Sequence, residues 1–388
     1  MALRIDVPCP TVRQESGKDP DGKFILSVLV KRTYTLSRHG ECIVADEQLP
    51  LCEEPEFNPD DPALLVRDSD LFPYKPRSDV IVMGHAYGYT GRRQFKAVVR
   101  VGDATKQILV QGERRCTLTA TGRLVFAAPD PVNRIPLSYA YAYGGRDAVA
   151  EAAVVDKHTA AKMPGIPPEM LSLADCGPFD YPRNPCGCGY LIKATAQAVE
   201  GLRLPNLEDP LDPLAPDRME VGSPLLWPSM PLPQSTGWVS YDWFPRIVGI
   251  GIFPVYQRTE NPFSEVVRNY IPDSVLRPAR YDQADPFHLT CGASLGLQFP
   301  YLRGGEAVTL QNIHPTQQDF SFCLPSEKPN IWTDGRKGLL NATKPVIHTV
   351  VIEPDEDRVS VVWRGAATAL RPYMEAELAK MPLKVEWV

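Results

Sequence analysis

The loop Asn184–Tyr190 has the composition most typical of a ligand site, Asn-Pro-Cys-Gly-Cys-Gly-Tyr. Backbone amides of a glycine-rich loop can bind phosphate, but this loop lacks the Lys and Ser/Thr of a P-loop and the third glycine of a dinucleotide motif. Cys186 and Cys188, with Cys176 nearby, could bind zinc, but C-x-C is shorter than the usual spacing and no fourth ligand follows closely. We therefore predict a tight turn, with glycines at positive φ and Asn184 bonded to its own backbone.

A second possible ligand set is the group of aspartates within residues 60–70. Carboxylates bind hard cations, but these residues have neither EF-hand spacing nor a glycine at the bend position. We predict that they are solvated carboxylates in turns and caps. The set comprises Asp60, Asp61, Asp68 and Asp70.

No familiar catalytic constellation is present in the sequence. The histidines are dispersed and form no H-E-x-x-H pair, the serines form no G-x-S-x-G elbow, and the cysteines match no protease signature. A carboxylate pair for glycoside hydrolysis depends on proximity in space and is invisible at this level. The sequence therefore predicts a protein that is not an enzyme and needs neither a cofactor nor a metal.

Composition limits the possible partners. The 388 residues carry a net charge of −6 and no run of Lys or Arg, which disfavours binding to nucleic acid. The first residues, Met-Ala-Leu-Arg-Ile-Asp, contain no apolar signal core. The best apolar stretch, 247–256, is about half the ~20 residues needed to span a bilayer. Nine cysteines without regular spacing do not suggest a disulfide framework. We expect a soluble, cytoplasmic protein.

The elements that must position these residues are mostly short strands. Forty prolines disfavour long helices and uninterrupted central strands. β-Branched and aromatic residues predict a strand over Phe24–Leu36, and alternation predicts a hairpin of Phe95–Val101 with Lys106–Val110. Later strands are expected over 307–313 and 320–324, and over 348–352 and 358–363 on either side of Pro354. Helices are expected over 148–163 and 169–174, and from Pro372 to Lys380.

The predicted fold is mainly β, with antiparallel sheets in a β-sandwich-like or two-lobed architecture and a few short helices. One division has an N-terminal β-rich lobe over 1–190, a proline-rich connection over 191–240, and a C-terminal β-rich lobe with a terminal helix over 241–388. A single continuous domain is the alternative.

Several short strings together resemble one family over nearly the whole chain. The strings are Asp70–Val80, with Lys-Pro-x-x-Asp-Val at its end, Gly84–Tyr87, Gly112–Arg114, Tyr141–Gly145, Asn184–Gly189, Trp243–Arg246, Gly304–Val308, Cys323–Pro325 and Ile352–Asp357 through to Trp363-Arg364. In their order and spacing they resemble domain-of-unknown-function family 2169, found beside type VI secretion genes in bacteria. Two departures are Gly112-Glu113-Arg114-Arg115-Cys116, where the family has Gly-Asp-Arg-x-Trp, and Gly249-Ile250-Gly251, where it has Gly-Thr-Tyr.

The resemblance implies a cytoplasmic adaptor or chaperone that binds a secreted effector with a PAAR-like tip domain and helps to load it on the VgrG spike. It implies no catalytic residues. We expect structural or partner-binding roles for the motif residues, with structural roles favoured for those at strand ends. These residues are Lys75, Pro76, Asp79, Gly112, Arg114, Tyr143, Gly144, Gly145, Asn184, Pro185, Gly187, Gly189, Pro245, Arg246, Glu306, Trp363 and Arg364.

Two other functions stay open. Five of the six tryptophans, which all lie in the second half, suggest together with the β content a carbohydrate-active or carbohydrate-binding protein. They are Trp227, Trp238, Trp243, Trp332 and Trp363, and the last is expected in the core. The other possibility is a structural component of the secretion sheath or baseplate, which would assemble with itself.

Overall fold

A computed structural model describes residues 11–153, 179–222, 224–241, 243–244, 246, 290–334 and 341–388. In these ranges the chain is mainly β, as predicted, and helices are short. The predicted helix over 169–174 lies outside the described residues. The predicted helix over 148–163 lies partly outside them, and its described part, 148–153, is helical.

The strands are β1 (Val12–Lys18), β2 (Phe24–Thr35), β3 (Ile43–Val44), β4 (Glu56–Asn58), β5 (Asp61–Arg67), β6 (Ser78–Val82), β7 (His85–Tyr87), β8 (Gln94–Val101), β9 (Ala104–Gln111), β10 (Cys116–Leu118), β11 (Leu124–Phe126), β12 (Arg134–Pro136), β13 (Tyr143–Gly144), β14 (Cys188–Gly189), β15 (Leu207–Glu208), β16 (Gln298–Phe299), β17 (Ala307–Gln311), β18 (Asp319–Cys323), β19 (Pro329–Thr333), β20 (Asn341–Ala342), β21 (Val346–Glu353), β22 (Arg358–Thr368) and β23 (Leu383–Trp387). Short α-helices are α1 (Ala196–Val199) and α2 (Glu375–Leu378), and 3₁₀ turns cover Tyr139–Tyr141, Pro216–Arg218, Pro224–Ser229 and Pro354–Glu356.

The largest sheet has seven strands, in the order β1-β2-β22-β21-β6-β16 with β3 paired to β2. β2 and β22 pair along their length, from Ile25 opposite Thr368 to Thr35 opposite Arg358. The β21–β6 pair is parallel, whereas the other pairs in this sheet are antiparallel. β2 is buried on both faces for most of its length, which fits its nearly continuous apolar sequence. The strands predicted over 24–36, 348–352 and 358–363 are thus confirmed.

The second sheet has five strands, in the order β15-β9-β8-β17-β18. Buried and exposed residues alternate along β8, as its sequence predicts for a half-buried strand. The hairpin from β8 to β9 turns at Gly102, whose φ of 55° suits glycine. Residues of β6 and β21 in the first sheet and of β8 and β17 in the second belong to one hydrophobic cluster. The two sheets therefore enclose a common core, as in a β-sandwich.

A second, aromatic cluster lies beside the main core. It contains Tyr143, Tyr181, Tyr190 and Trp227, all buried. The ring centroid of Tyr181 lies 5.1 Å from that of Tyr143 and 6.2 Å from that of Trp227, both in edge-to-face arrangements. Such contacts add to the energy of apolar burial. This cluster supports the glycine-rich loop at 184–189.

Both large sheets combine strands from before residue 190 with strands from after residue 240. Residues 191–240 contribute β15 to the five-stranded sheet. The division at 190 and 240 stays a prediction. At the C-terminal end, α2 is shorter than the helix predicted from Pro372 to Lys380, and β23 follows it as a strand that we had not predicted. In the described ranges, no helix has the length and apolarity that a membrane span requires.

Candidate functional site

Residues 70–79, called the strap here, contact one face of the seven-stranded sheet and end as the first two residues of β6. The carbonyl of Pro73 accepts a hydrogen bond from Ser27 of β2, and Lys75 and Ser78 bond to β21. Proline and its preceding residue favour extended backbone, which suits a segment that crosses several strands. The strap thus links β2 to β21.

Lys75 and Asp79 form an ion pair inside the strap. Lys75 Nζ lies 2.8 Å from Asp79 Oδ2 and 2.9 Å from Thr349 Oγ1, and both charged side chains are 0% exposed. The ammonium also faces the ring of Trp238 at 5.6 Å. Because a buried charge is costly unless paired and hydrogen-bonded, each residue depends on the other. Pro76, between them, is half-buried.

Asp68 and Asp70 are also buried, so the prediction that they are solvated turn carboxylates was wrong. Asp70 Oδ2 lies 2.9 Å from Lys31 Nζ of β2 and accepts the backbone N–H of Cys52. Asp68 Oδ2 lies 3.1 Å from Arg246 Nη2. The carboxylates face inward because each has a buried cation from a distant part of the chain, which local sequence cannot reveal.

The Asp68–Arg246 and Lys75–Asp79 pairs meet at Gly292. Its backbone N–H donates to Asp79 Oδ2 at 2.8 Å. A Cβ atom at Gly292 would lie 2.9 Å from Asp68 Oδ2 and 2.7 Å from the Trp238 ring. The close approach leaves no room for a side chain. The two ion pairs therefore form one buried polar cluster that joins the strap to the segments around 238–246 and 290–294.

Arg364 of β22 stabilises the strap from the sheet side. Its guanidinium lies over the Tyr74 ring at 5.0 Å and is within 3.5 Å of the Pro73 carbonyl and the Tyr301 hydroxyl. The neighbouring His348 is fully buried. Burial, with the nearby charges of Lys75 and Arg364, holds the pKa of His348 well below its usual value near 6.5. His348 is therefore neutral at pH 7.

Arg114 pairs with Glu208 of β15 in a third buried centre. Arg114 Nη2 lies 2.7 Å from Glu208 Oε1, and Gln111 donates to the same carboxylate. Burial raises the pKa of Glu208, and Arg114 counteracts it. Gly112 lies nearby, where an added Cβ would be 1.8 Å from the Asp130 carbonyl oxygen. The Gly-x-Arg string thus combines a steric requirement with an ion pair.

The glycine-rich loop is built around Asn184. Its Nδ2 donates to the carbonyls of Tyr139 and Tyr143 at 2.8 and 3.1 Å, and its own carbonyl accepts the Gly145 N–H. The expected bond of Asn184 to its own backbone was wrong, because the side chain bridges to another segment. A Cβ at Gly144 would lie 2.1 Å from the Asn184 carbonyl oxygen. The loop is thus packed against Tyr143–Gly145.

The predicted positive φ holds for part of the loop. Gly189 has φ 91°, and Gly144 and Gly145 have φ 151° and 100°, but Gly187 is not in this region. Gly187 is required for another reason, since a Cβ there would lie 2.6 Å from the Ala142 carbonyl oxygen. Pro185 is half-buried. Backbone groups hold this loop closed, so its amides are not arranged as an open anion cradle.

The remaining motif residues also have local structural contacts. The Glu306 carboxylate accepts the backbone N–H groups of Arg303 and Gly304 at 2.6 and 2.9 Å, which fixes the turn before β17. Trp363 is 2% exposed and lies in the main core, as predicted. Pro245 lies outside the described residues.

Most of the tryptophans that suggested a carbohydrate site are core residues. Trp227, Trp238 and Trp243 are between 0% and 2% exposed, and Trp332 is half-buried. A sugar-binding platform needs an accessible ring face, which the three buried indoles do not offer.

One polar group from the family strings is at the surface, and sequence reasoning did not select it. His85 Nδ1 lies 2.6 Å from Asp355 Oδ2, and the Tyr87 hydroxyl donates to Asp355 Oδ1 at 2.8 Å. The side chains of His85 and Asp355 are 28% and 23% exposed. The i, i+2 spacing of His85 and Tyr87 on β7 places them on one face. This i, i+2 spacing in the sequence was the signal that could have identified His85 and Tyr87 as neighbours on one face.

In the described part of the chain, no group of three or more His, Cys, Asp or Glu side chains is close enough to hold a metal ion. Burial raises the pKa of the Cys188 thiol to about 11. Cys176, the third thiol considered, lies outside the described residues.

Residues 21–364 match the model of a family described as an uncharacterized protein conserved in bacteria (DUF2169). The chain belongs to this family. No curated protein matches the chain, and no solved structure does.

Proposed function

We propose that this family member is a non-enzymatic adaptor or chaperone of the type VI secretion system. In this proposal it binds an effector with a PAAR-like tip domain in the bacterial cytoplasm and helps to load it on the VgrG spike. One observation carries the proposal. Several charged residues of the strings that mark the family form buried ion pairs with internal partners, namely Lys75–Asp79, Arg114–Glu208 and Arg246–Asp68.

Such burial favours a binding scaffold over a catalyst. Residues that act on a substrate must reach it, and catalytic groups lie in clefts with perturbed pKa values and accessible atoms. A buried ion pair instead fixes which segments lie together. Residues used in this way support one particular surface shape, which is what recognition of another polypeptide requires.

The test is co-expression with the effector encoded beside the gene. We expect the two proteins to co-elute as one complex in size-exclusion chromatography, and effector solubility to rise. A matched control is the same effector without its PAAR-like domain, which should elute separately. Absence of a complex, with unchanged effector solubility, would contradict the adaptor role. Turnover of a polysaccharide by the purified protein would contradict the non-enzymatic role.

A further inference from the structure

The negative charge of this protein is concentrated in one segment. Residues 41–61 contain eight acidic residues and no Lys or Arg, whereas the whole chain has a net charge of only −6. The rest of the chain is thus close to neutral. The segment includes β3 and β4 and leads into β5. A local charge of this size creates a field that extends about a Debye length from the surface, roughly 8 Å at physiological salt.

Strand register places the Ile43 side chain of β3 in a row of side chains on one face of the large sheet. Ile43 is opposite Thr35, Thr35 is opposite Arg358, and Arg358 is opposite Glu353. Directly opposed residues point to the same face, so these four side chains form one row across four strands. Three strand spacings make this row about 14 Å long.

The hairpin reaches this row through Arg67 of β5. Arg67 Nη2 lies 3.2 Å from Glu353 Oε1, and Arg67 Nε lies 3.9 Å from Glu56 of β4. Ile43 at one end of the row and the hairpin at the other therefore belong to one continuous surface. We call it the acidic face and define it by the exposed residues of β3, of the β4–β5 hairpin and of the adjoining segments. These residues are Ile43, Asp46, Glu47, Glu54, Glu56, Phe57, Asp60, Val66 and Glu356.

The acidic face also exposes apolar side chains. Ile43 is 66% exposed, Phe57 is 42% exposed and Val66 is 38% exposed. Single exposed apolar residues are common and mean little, but a group bordered by charge is typical of a protein-binding surface. The negative charge and the exposed apolar side chains are independent observations, because carboxylates do not require apolar neighbours.

Two arginines of this region are engaged by Glu353. Arg358 binds its two carboxylate oxygens at 2.7 and 3.0 Å, and Arg67 binds it at 3.2 Å. All six carboxylates of the acidic face are exposed, and one of them, Glu56, lies 3.9 Å from Arg67. The face thus presents net negative charge around apolar side chains.

We propose that the acidic face binds a basic segment of the cargo that also carries apolar side chains. This inference rests on the proposed function and names the surface and the chemistry of the partner. Complementary charge would speed association and set orientation, and burial of Ile43, Phe57 and Val66 would stabilise the complex. A second copy of this chain is a poor occupant, because two acidic faces repel each other.

The test measures binding of the co-expressed neighbouring effector to two variants, Ile43→Asp and the double variant Asp46→Lys/Glu54→Lys. Each is expected to weaken the complex at least tenfold, and raising NaCl from 50 to 500 mM should weaken the wild-type complex. Matched controls are Leu370→Asp, at a residue 65% exposed elsewhere, and Asp21→Lys/Asp103→Lys, which has the same change in charge. The controls should bind like wild type.

The outcomes separate the two proposals. Variants that bind like wild type while the wild-type complex forms would overturn the acidic face and leave the adaptor role intact. Absence of a wild-type complex would overturn both. Equal losses in test and control variants would also overturn the assignment, since they would show a general effect of charge. Circular dichroism should show the same fold and thermal midpoint in all variants, because every substituted residue is exposed.

Discussion

The ammonium nitrogen of Lys75 lies 2.8 Å from a carboxylate oxygen of Asp79, and neither side chain is exposed to solvent. The pair lies where the strap crosses β21, and Asp79 also accepts the Gly292 N–H. The partners are only four positions apart in the sequence, but both of them also contact distant segments of the chain. Both partners are therefore needed together, and removal of one leaves a charge that the interior cannot solvate.

Lys75→Met is expected to lower the free energy of unfolding by about 3–5 kcal/mol, because it leaves the Asp79 carboxylate buried without its cation. The double variant Lys75→Met/Asp79→Asn should be destabilised by less than the sum of the single variants, because it removes both charges. Urea unfolding of the four proteins gives the coupling energy directly.

The matched control is the exposed pair Lys23–Asp21, whose side chains are 65% and 72% exposed at a separation of 3.1 Å. Lys23→Met should change stability by less than about 1 kcal/mol, because solvent screens this pair. Losses of equal size at Lys75 and Lys23 would show that burial of the strap pair has no energetic consequence.

Local pattern in the sequence predicted the hairpins well, since the β8–β9 turn at Gly102 and the strands on either side of Pro354 need only neighbouring residues. Leu383, Val385 and Trp387 alternate along β23, which is also a local pattern typical of a strand. Pairing of β21 with β6 was beyond reach, because it joins residues about 270 positions apart. The same limit hid the partners of Asp68 and Asp70.

Gly112→Ala is expected to destabilise the protein by about 1–3 kcal/mol or more through overpacking, because the added Cβ would lie 1.8 Å from the Asp130 carbonyl oxygen. Gly40→Ala is the control, since its nearest contact would be the Ser37 hydroxyl at 3.3 Å, which can move. Neither glycine has positive φ, so the comparison isolates the steric term. Thermal unfolding with similar midpoints for both variants would contradict the steric assignment.

His348→Gln is expected to reduce the loss of stability in mild acid. The folded protein keeps His348 neutral because its pKa is well below 6.5, whereas the unfolded chain takes up a proton near pH 6.5. The unfolded state then binds more protons, so the free energy of unfolding falls as the pH decreases below 6.5, by at most about 1.4 kcal/mol per pH unit.

Urea unfolding between pH 7 and 5 checks this prediction, with His39→Gln as the control because His39 is exposed. The pH dependence should be shallower than wild type only in the His348 variant. An unchanged slope in that variant would show that His348 is charged or accessible in the folded state.

Lys106 of β9 should contribute a second pH dependence, on the alkaline side. The residue is 8% exposed, and its ammonium donates to two neutral acceptors, Gln234 Oε1 at 3.2 Å and the Leu295 carbonyl at 2.9 Å. Burial lowers its pKa from 10.5 to about 8, and Asp209 only partly opposes this effect. Between pH 8 and 10 the unfolded chain keeps a proton at this site that the folded protein has lost, so the contribution of Lys106 to the free energy of unfolding becomes more favourable as the pH rises.

Lys106→Met removes the proton linkage and keeps most of the apolar stem. At pH 7, where wild type must bury a charge, the variant should be as stable as wild type or more stable. The difference in unfolding free energy, wild type minus variant, should rise between pH 8 and 9.5. Taking this difference cancels the opposing contribution of the buried thiols, whose pKa values are raised by burial. Lys96→Met on the adjacent strand β8 is the control, because Lys96 is exposed and its difference from wild type should not change with pH. The window ends at pH 9.5 since tyrosines ionise near pH 10 in the unfolded chain. A difference that stays constant for Lys106→Met would contradict the linkage to Lys106.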